Sequence, residues 1–253
     1  MAASTAIIVP ARLASTRFPR KLLHEVHGKP IIVWTAERVR REAPEFPLYF
    51  AVDDPSLRDA LASAGFDSIM TSPEHACGTD RIAEANREIG AEIVLNVQAD
   101  EPLTTGGQIR QMHQLIQQDV ELATLGSPLE SEADFLNPNH VKCVCDRRGR
   151  ALYFSRAPMP HFRDGGGRFD PALAATVPVL IHLGLYAYRA DFLAKFSSLP
   201  QGPLEQIERL EMLRVLENGY RIQVGVSQQA LIEIDTPEQA QQFAEYLSAN
   251  NLS

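Results

Sequence analysis

Residues 92–101 read EIVLNVQADE. Glu92–Val97 is a nearly continuous apolar run, the mark of a strand buried on both faces, and such strands belong to parallel sheets covered by helices. Asp100 and Glu101 follow where that strand emerges. Upstream, Ala6–Val9 is a short apolar strand ended by Pro10, and helical periodicity covers Ile31–Arg41. A strand at Leu48–Val52 closes in Asp53-Asp54-Pro55, then come a helix through Ser56–Ala64, a short strand near Ser68–Thr71 and a helix at Asp80–Ile89. Strands alternating with helices at this spacing predict an α/β fold with a mostly parallel sheet.

The rhythm changes after residue 128. Val141–Cys145, Ala151–Ser155 and Val177–Tyr188 read as strands without intervening helices, with Gly165-Gly166-Gly167 as a flexible loop. Residues 129–190 are therefore expected to form an antiparallel insertion within a single domain spanning 1–253. A helix at Leu204–Leu216 stops at Asn218-Gly219, followed by a strand at Arg221–Val226 and a C-terminal helix opening after Asp235-Thr236-Pro237.

Composition narrows the function classes. The net charge of −8 leaves no broad cationic surface for nucleic acid or anionic lipid, so neither is an expected partner. Hydrophobic residues at 45% and charged residues at 22% exclude a disordered chain. Three cysteines make no disulfide framework, which points to a reducing compartment. The start, MAASTAIIVPAR, lacks a signal-peptide core, and no stretch approaches the roughly 18 apolar residues of a membrane span, so the expected location is the cytoplasm.

Residues 7–23, IIVPARLASTRFPRKLL, place Arg12, Arg17, Arg20 and Lys21 just past the carboxyl end of a buried strand. Ligands bind at that end of open α/β sheets, so the loop suits an anionic, phosphorylated ligand; a solvated basic loop is the alternative. No Walker-type glycine loop and no G-x-G-x-x-G is present. Asp100, at its own strand end, has the donor chemistry for Mg²⁺ beside a nucleotide, and Asp235 in LIEIDTPEQ could share the ion. Both also read as helix caps, and on local grammar capping is the commoner use.

In PVLIHLGLYAY, strand alternation places His182, Gly184, Tyr186 and Tyr188 on one face, with a gap at Gly184 that could admit a hydroxylated ligand. A satisfied core histidine is the alternative. Arg156, ending ALYFSR, suits a bidentate clamp on a carboxylate, or else a surface salt bridge. Cys143 and Cys145 lack a second pair at zinc spacing and read as small buried residues. In the 204–216 helix, Leu204, Ile207, Leu210 and Leu213 form an apolar stripe, and Glu205, Glu208 and Glu211 a solvated face.

Nearly end to end, the chain resembles the 3-deoxy-manno-octulosonate (KDO) cytidylyltransferases. The segments carrying the resemblance are IIVPARLASTRFPRKLL, HGKPIIVWTAERVR, AVDDP, GTDRIAEA, LNVQADEPL, FLNPNHVKCV, ALYFSRAPMP, HLGLYAYR, PLEQIERLEMLRVLENG and IDTPEQ. The opening loop and strand-end aspartate are shared by many sugar nucleotidyltransferases, whereas ALYFSR, HLGLYAYR and LExLExLRxLENG in that order belong to the KDO enzymes. The resemblance implies a Rossmann-like three-layer sandwich of the nucleotide-diphospho-sugar transferase type. It also implies transfer of CMP from CTP to KDO, giving CMP-KDO for lipopolysaccharide and releasing pyrophosphate. Mg²⁺ is the implied cofactor, and a homodimer joined through the 129–190 region the implied assembly.

By motif, Arg12, Ser15, Arg17 and Lys21 are implied to hold the triphosphate, and Gly78 and Arg81 to lie near the cytidine. Asp100 and Asp235 are the implied metal ligands, and Arg12, Lys21, Asp100 and Asp235 the catalytic set. Gln98, Arg156, His182, Tyr186 and Glu211 are implied to line the sugar pocket, with Arg156 on the sugar carboxylate. The pattern is departed from at Arg20, Ala99, Cys77 and Met212, where the family usually carries glycine, glycine, serine and a sugar-facing glutamine. The competing readings are the same transfer to an 8-amino-KDO or a sialic acid, and a non-catalytic nucleotide or sugar sensor. Retention of Arg12, Lys21, Asp100 and Asp235 together argues against the sensor.

Overall fold

The computed structural model describes residues 4–75, 77–176, 179–229 and 233–252. The chain gathers into two units, Met1–Arg110 with Leu231–Ser253, and Gln111–Ala230. The first begins with β1 (Thr5–Ala11), then a two-strand ribbon of β2 (Glu25–Val26) and β3 (Lys29–Pro30) and helix α1 (Ile31–Glu42). β4 (Leu48–Val52), α2 (Pro55–Ser63), β5 (Ser68–Met70), α3 (Gly78–Ile89) and β6 (Ile93–Asn96) follow, and the chain leaves this unit within α4 (Gly106–Ile116). It returns for the C-terminal helix, Pro237–Ala249.

β1 pairs in parallel with β4 on one side and β6 on the other, and β4 pairs in parallel with β5, giving the order β6-β1-β4-β5. Ile7, Ile8 and Val9 of β1 and Val94 and Leu95 of β6 are fully buried, as continuous apolar strands require. The α1 helix buries Ile31, Ile32, Val33, Thr35, Ala36 and Val39, one stripe at helical spacing. Gly90 ends α3 with φ 74°, a left-handed turn that closes a helix without a Cβ clash, and donates its N–H to Asn86 O.

The second unit holds β7 (Leu122–Pro128), α5 (Glu132–Leu136), β8 (Lys142–Cys145), β9 (Ala151–Ser155), α6 (Pro171–Thr176) and β10 (Leu180–Arg189). α7 (Ala190–Phe196), α8 (Pro203–Glu208), α9 (Met212–Glu217) and β11 (Ile222–Val226) complete it. β7 pairs in parallel with β11 and antiparallel with β10, while β8 pairs antiparallel with β10 and β9. Leu129, Phe135, Phe162, Phe169, Ala174 and Val179 form a core of their own, with the three phenylalanine rings 5.6 Å apart.

The α/β class and parallel strands follow the sequence reading, and several local expectations are corrected. Helices α5 and α6 lie among the strands after residue 128, where none was expected. The 204–216 helix is two helices, broken at Arg209, whose backbone is left-handed at φ 56°. Leu204 and Ile207 consequently face solvent while Leu210 and Leu213 are buried, so the four do not form one core stripe. Glu205 is buried and bound to Arg214 by two hydrogen bonds of 2.8 and 2.6 Å, so it is no solvated residue. The strand expected from Val177 begins at Leu180, and residues 177–178 lie outside the described ones.

Candidate active site

From β1 the chain moves outward to β4 and β5, then returns to β6 on the other side of β1. Loops at the carboxyl ends of β1 and β6 diverge at such a switch, leaving a crevice where ligands bind. The basic loop follows β1 and the Asp100 turn follows β6. That turn is anchored three ways: Thr35 Oγ1 donates to Ala99 O at 2.8 Å, Arg38 Nε to Thr104 O at 3.1 Å, and Ile234 N–H to Asp100 O at 3.0 Å. The last of these brings Asp235 alongside Asp100. Ala99 keeps an ordinary backbone, so its side chain is accommodated where the family carries glycine.

Lys21 stands between the two aspartates. Its ammonium donates to Asp100, and to Asp235 Oδ1 at 2.5 Å, while Arg17 pairs with the other oxygen of Asp235. Neither carboxylate caps a helix. Thr236 caps the C-terminal helix, forming a reciprocal capping box with Gln239. Burial works to lower the Lys21 pKa, but the charges and hydrogen bonds of Asp100 and Asp235 outweigh it and leave it above the ordinary lysine value. Burial works to raise Asp235, and Lys21 with Arg17 holds it below the usual carboxylate range.

Two more carboxyls adjoin the pair. Donor oxygens of Asp100, Glu233 and Asp235 lie within 4.8 Å of one another. Withdrawal from water, then repulsion from Asp100 and Asp235, pushes Glu233 up to about 7. Glu101 is buried, its Oε2 has no hydrogen-bond partner among the described residues, and burial followed by the charges of Asp100 and Glu233 drives it well above the carboxylate range. Hard carboxylate oxygens beside an orphaned buried acceptor fit a divalent cation such as Mg²⁺.

The other predicted nucleotide residues divide by role. Arg12 is exposed and Ser15 half-buried beside the β1 end, and neither has a hydrogen bond or ion pair among the described residues. Arg81 is buried, donating to Thr71 Oγ1 at 2.6 Å and Asp53 Oδ2 at 3.2 Å. Asp53 also accepts from the Leu13 N–H at 2.9 Å, so Arg81 shapes the basic loop through Asp53. Gly78 opens α3 close against Pro10, where a Cβ would meet the proline ring at 3.4 Å. Gln98 starts the Asp100 turn, its carbonyl accepting the Glu101 N–H.

Arg156, His182, Tyr186 and Glu211 lie in the second unit. The His182 and Tyr186 rings are 5.4 Å apart, and Phe154 packs against His182 at 5.1 Å. Thr124 Oγ1 lies 2.7 Å from Leu185 O and 3.0 Å from His182 Nε2. Its single proton goes to the carbonyl, so the imidazole donates from Nε2 and leaves Nδ1 as an acceptor. Burial holds the ring near 3, hence neutral. The β10 register shifts between Leu183 and Tyr186, and Thr124 Oγ1 lies 3.3 Å from Leu183 O beside the shift.

Among the described residues, Arg156 makes no carboxylate salt bridge through its side chain. Its Nε donates to Glu208 O at 2.9 Å and one terminal nitrogen to Pro138 O at 3.1 Å, while Glu208 Oε2 accepts its backbone N–H and buried Lys142 donates to its carbonyl. Glu211 begins α9 and accepts the Arg214 N–H through its carbonyl. Met212 is buried at 5% exposure.

The sequence reading missed Glu233, Asp53, Lys142 and Glu208 as site or positioning residues. Alternation in Glu233-Ile234-Asp235, with Ile234 fully buried between, was the signal for Glu233.

A family described as Cytidylyltransferase matches residues 6–222. A 3-deoxy-manno-octulosonate cytidylyltransferase of Syntrophobacter fumaroxidans is 47% identical over 237 residues, covering 91% of this chain and 92% of its own. One from Geobacter metallireducens is 43% identical over 245 residues, covering 95% and 96%. A solved CMP:2-keto-3-deoxy-manno-octonic acid synthetase complexed with CTP is 33% identical with a TM-score of 0.89, covering 98% of this chain and 100% of its own. A 4-diphosphocytidyl-2C-methyl-D-erythritol synthase from Anaerococcus prevotii shares the fold at a TM-score of 0.63 and 11% identity, covering 97% and 99%. By these matches the chain belongs to the cytidylyltransferase family, among its 3-deoxy-manno-octulosonate members.

Proposed function

We propose that this chain transfers CMP from CTP to the anomeric hydroxyl of KDO, releasing pyrophosphate and supplying an activated sugar for lipopolysaccharide. The carrying observation is the clustering of Lys21, Arg17, Asp100 and Asp235 at the switch point of the parallel sheet, in a chain 47% identical to a named KDO cytidylyltransferase.

The sugar C2 oxygen forms a bond to the α-phosphorus, the bond from that phosphorus to the α,β-bridging oxygen breaks, and the hydroxyl proton is lost. Two anions must meet, so the work is neutralisation and positioning. Arg12, Ser15 and Lys21 receive the triphosphate, and Arg17 turns to it from Asp235. Gly78 and Arg81 set the cytidine side of the site. Asp100 and Asp235 would hold Mg²⁺, which supplies charge neutralisation and a lowered hydroxyl pKa when bound. The residues assigned to the sugar are Gln98, His182, Tyr186 and Glu211, while Arg156 takes its carboxylate in a fork. The enzyme works in the cytoplasm as a homodimer.

Pyrophosphate release with CTP, Mg²⁺ and KDO, beside an Asp100→Ala variant, tests this reading. Release that needs all three and collapses in the variant supports it. Equal release with UTP, or with a sialic acid in place of KDO, overturns the substrate assignment, and release without added metal after chelation overturns the Mg²⁺ requirement.

A further inference from the structure

Glu233 has no part in the mechanism above, yet its carboxylate meets those of Asp100 and Asp235 with donor atoms within 4.8 Å of one another. Three atoms so spaced enclose a point about 2.8 Å or less from each, a slight contraction away from the roughly 2.0–2.6 Å of Mg²⁺ and Ca²⁺ bonds to oxygen. Among the described residues Glu233 has no ion pair, while Lys21 and Arg17 both serve Asp235. The strand-like alternation of Glu233-Ile234-Asp235 is fixed by burial of Ile234 and its N–H bond to Asp100 O, which turns both acids toward Asp100. An independent observation points the same way. Glu101 is 5% exposed, its Oε2 lacks a partner among the described residues, and the charges acting on it are those of Asp100, Glu233 and Lys21. A buried acceptor is thus left unanswered, among the described residues, on the residue that directly follows Asp100, as expected where a cation or its water shell belongs.

We propose that Glu233 is a third carboxylate ligand of the divalent cation, so that this chain holds the cation before the nucleotide arrives. The inference rests on the reading that Asp100 and Asp235 are metal ligands. Mg²⁺ is ordinarily held by one or two carboxylates together with substrate phosphates. A third protein carboxylate supplies in advance what the phosphates would otherwise provide.

The test uses Mn²⁺ on the nucleotide-free full chain. Free ion is measured by electron paramagnetic resonance and bound water by proton relaxation, for wild type, Glu233→Gln and Asp100→Asn. Wild type should bind Mn²⁺ with about three coordinated waters, against about four for a two-carboxylate octahedral site. Glu233→Gln should bind roughly tenfold or more weakly, with about one water more on the ion. Wild-type affinity and water count in Glu233→Gln overturn the proposal, as does weaker binding with an unchanged water count, which a change of field alone produces. The wild-type water count stands by itself should the variant fold poorly, and about four waters there, or no uptake without nucleotide, overturns the proposal. Unchanged binding in Asp100→Asn would instead sink the parent reading; loss there with no effect of Glu233→Gln leaves the parent standing and Glu233 excluded.

Discussion

The Lys21 ammonium donates to Asp235 Oδ1 at 2.5 Å across 214 residues of sequence, and the same nitrogen bonds Asp100. One cation therefore joins the first loop, the β6 turn and the last segment of the chain.

Lys21→Ala leaves those two carboxylates facing each other and removes the phosphate contact proposed for it. Pyrophosphate release should fall about 10²–10³-fold, the scale of losing one preorganised charge-stabilising group. Activity within threefold of wild type would exclude Lys21 from the reaction.

Arg156 is oriented by Glu208, which accepts its backbone N–H at 3.0 Å and Ser155 Oγ at 2.5 Å. Glu208→Ala should raise the KM for the sugar about tenfold while leaving the KM for CTP near wild type. Equal increases in both would show a general structural effect.

His182 predicts the acid limb of stability. The folded chain keeps its ring neutral down to about pH 3, whereas an unfolded histidine takes its proton near 6.5. Between those values the unfolded state binds more protons. Stability should therefore fall as pH drops below 6.5, by up to about 1.4 kcal/mol per unit. Urea unfolding at pH 7 and pH 5 checks this, since His182→Gln keeps a donor toward Thr124 and should lose less across that interval.

Arg209 occupies the left-handed position after α8 with φ 56°, where glycine carries no Cβ penalty. Arg209→Gly should stabilise by about 0.5–1 kcal/mol after glycine's greater unfolded-state entropy is counted, seen as a higher urea midpoint at unchanged slope. Glu205→Ala acts oppositely. It leaves Arg214 buried without its two carboxylate bonds, and should cost about 3–5 kcal/mol in the same measurement.

Cys77 stands at the N-cap of α3 and makes no capping hydrogen bond. Cys77→Ser supplies an oxygen that can accept from the first turn, and should raise stability by about 1 kcal/mol. A lower thermal midpoint would show that the thiol's packing matters more than the cap.

Periodicity made the parallel strands legible, because continuous apolar runs such as Ile93–Asn96 need burial on both faces whatever surrounds them. The Lys21 loop and Asp100 stood out in the sequence as charges just past strand ends, although a solvated loop and a helix cap were open alternatives. The break at Arg209 was not legible, since helical spacing runs through PLEQIERLEMLRVLENG unbroken, whereas the fold turns Arg209 left-handed and pairs Glu205 with Arg214 across the break. Local grammar likewise favoured caps for Asp100 and Asp235, but Thr236 takes the cap and Lys21 takes both carboxylates. Local periodicity and motif were enough for the α/β class, the family and the identity of the charged groups. Which acid meets which cation, and that Glu233 joins them, was decided by the tertiary structure, because pairing between residues some 80 to 214 positions apart depends on how the strands are ordered.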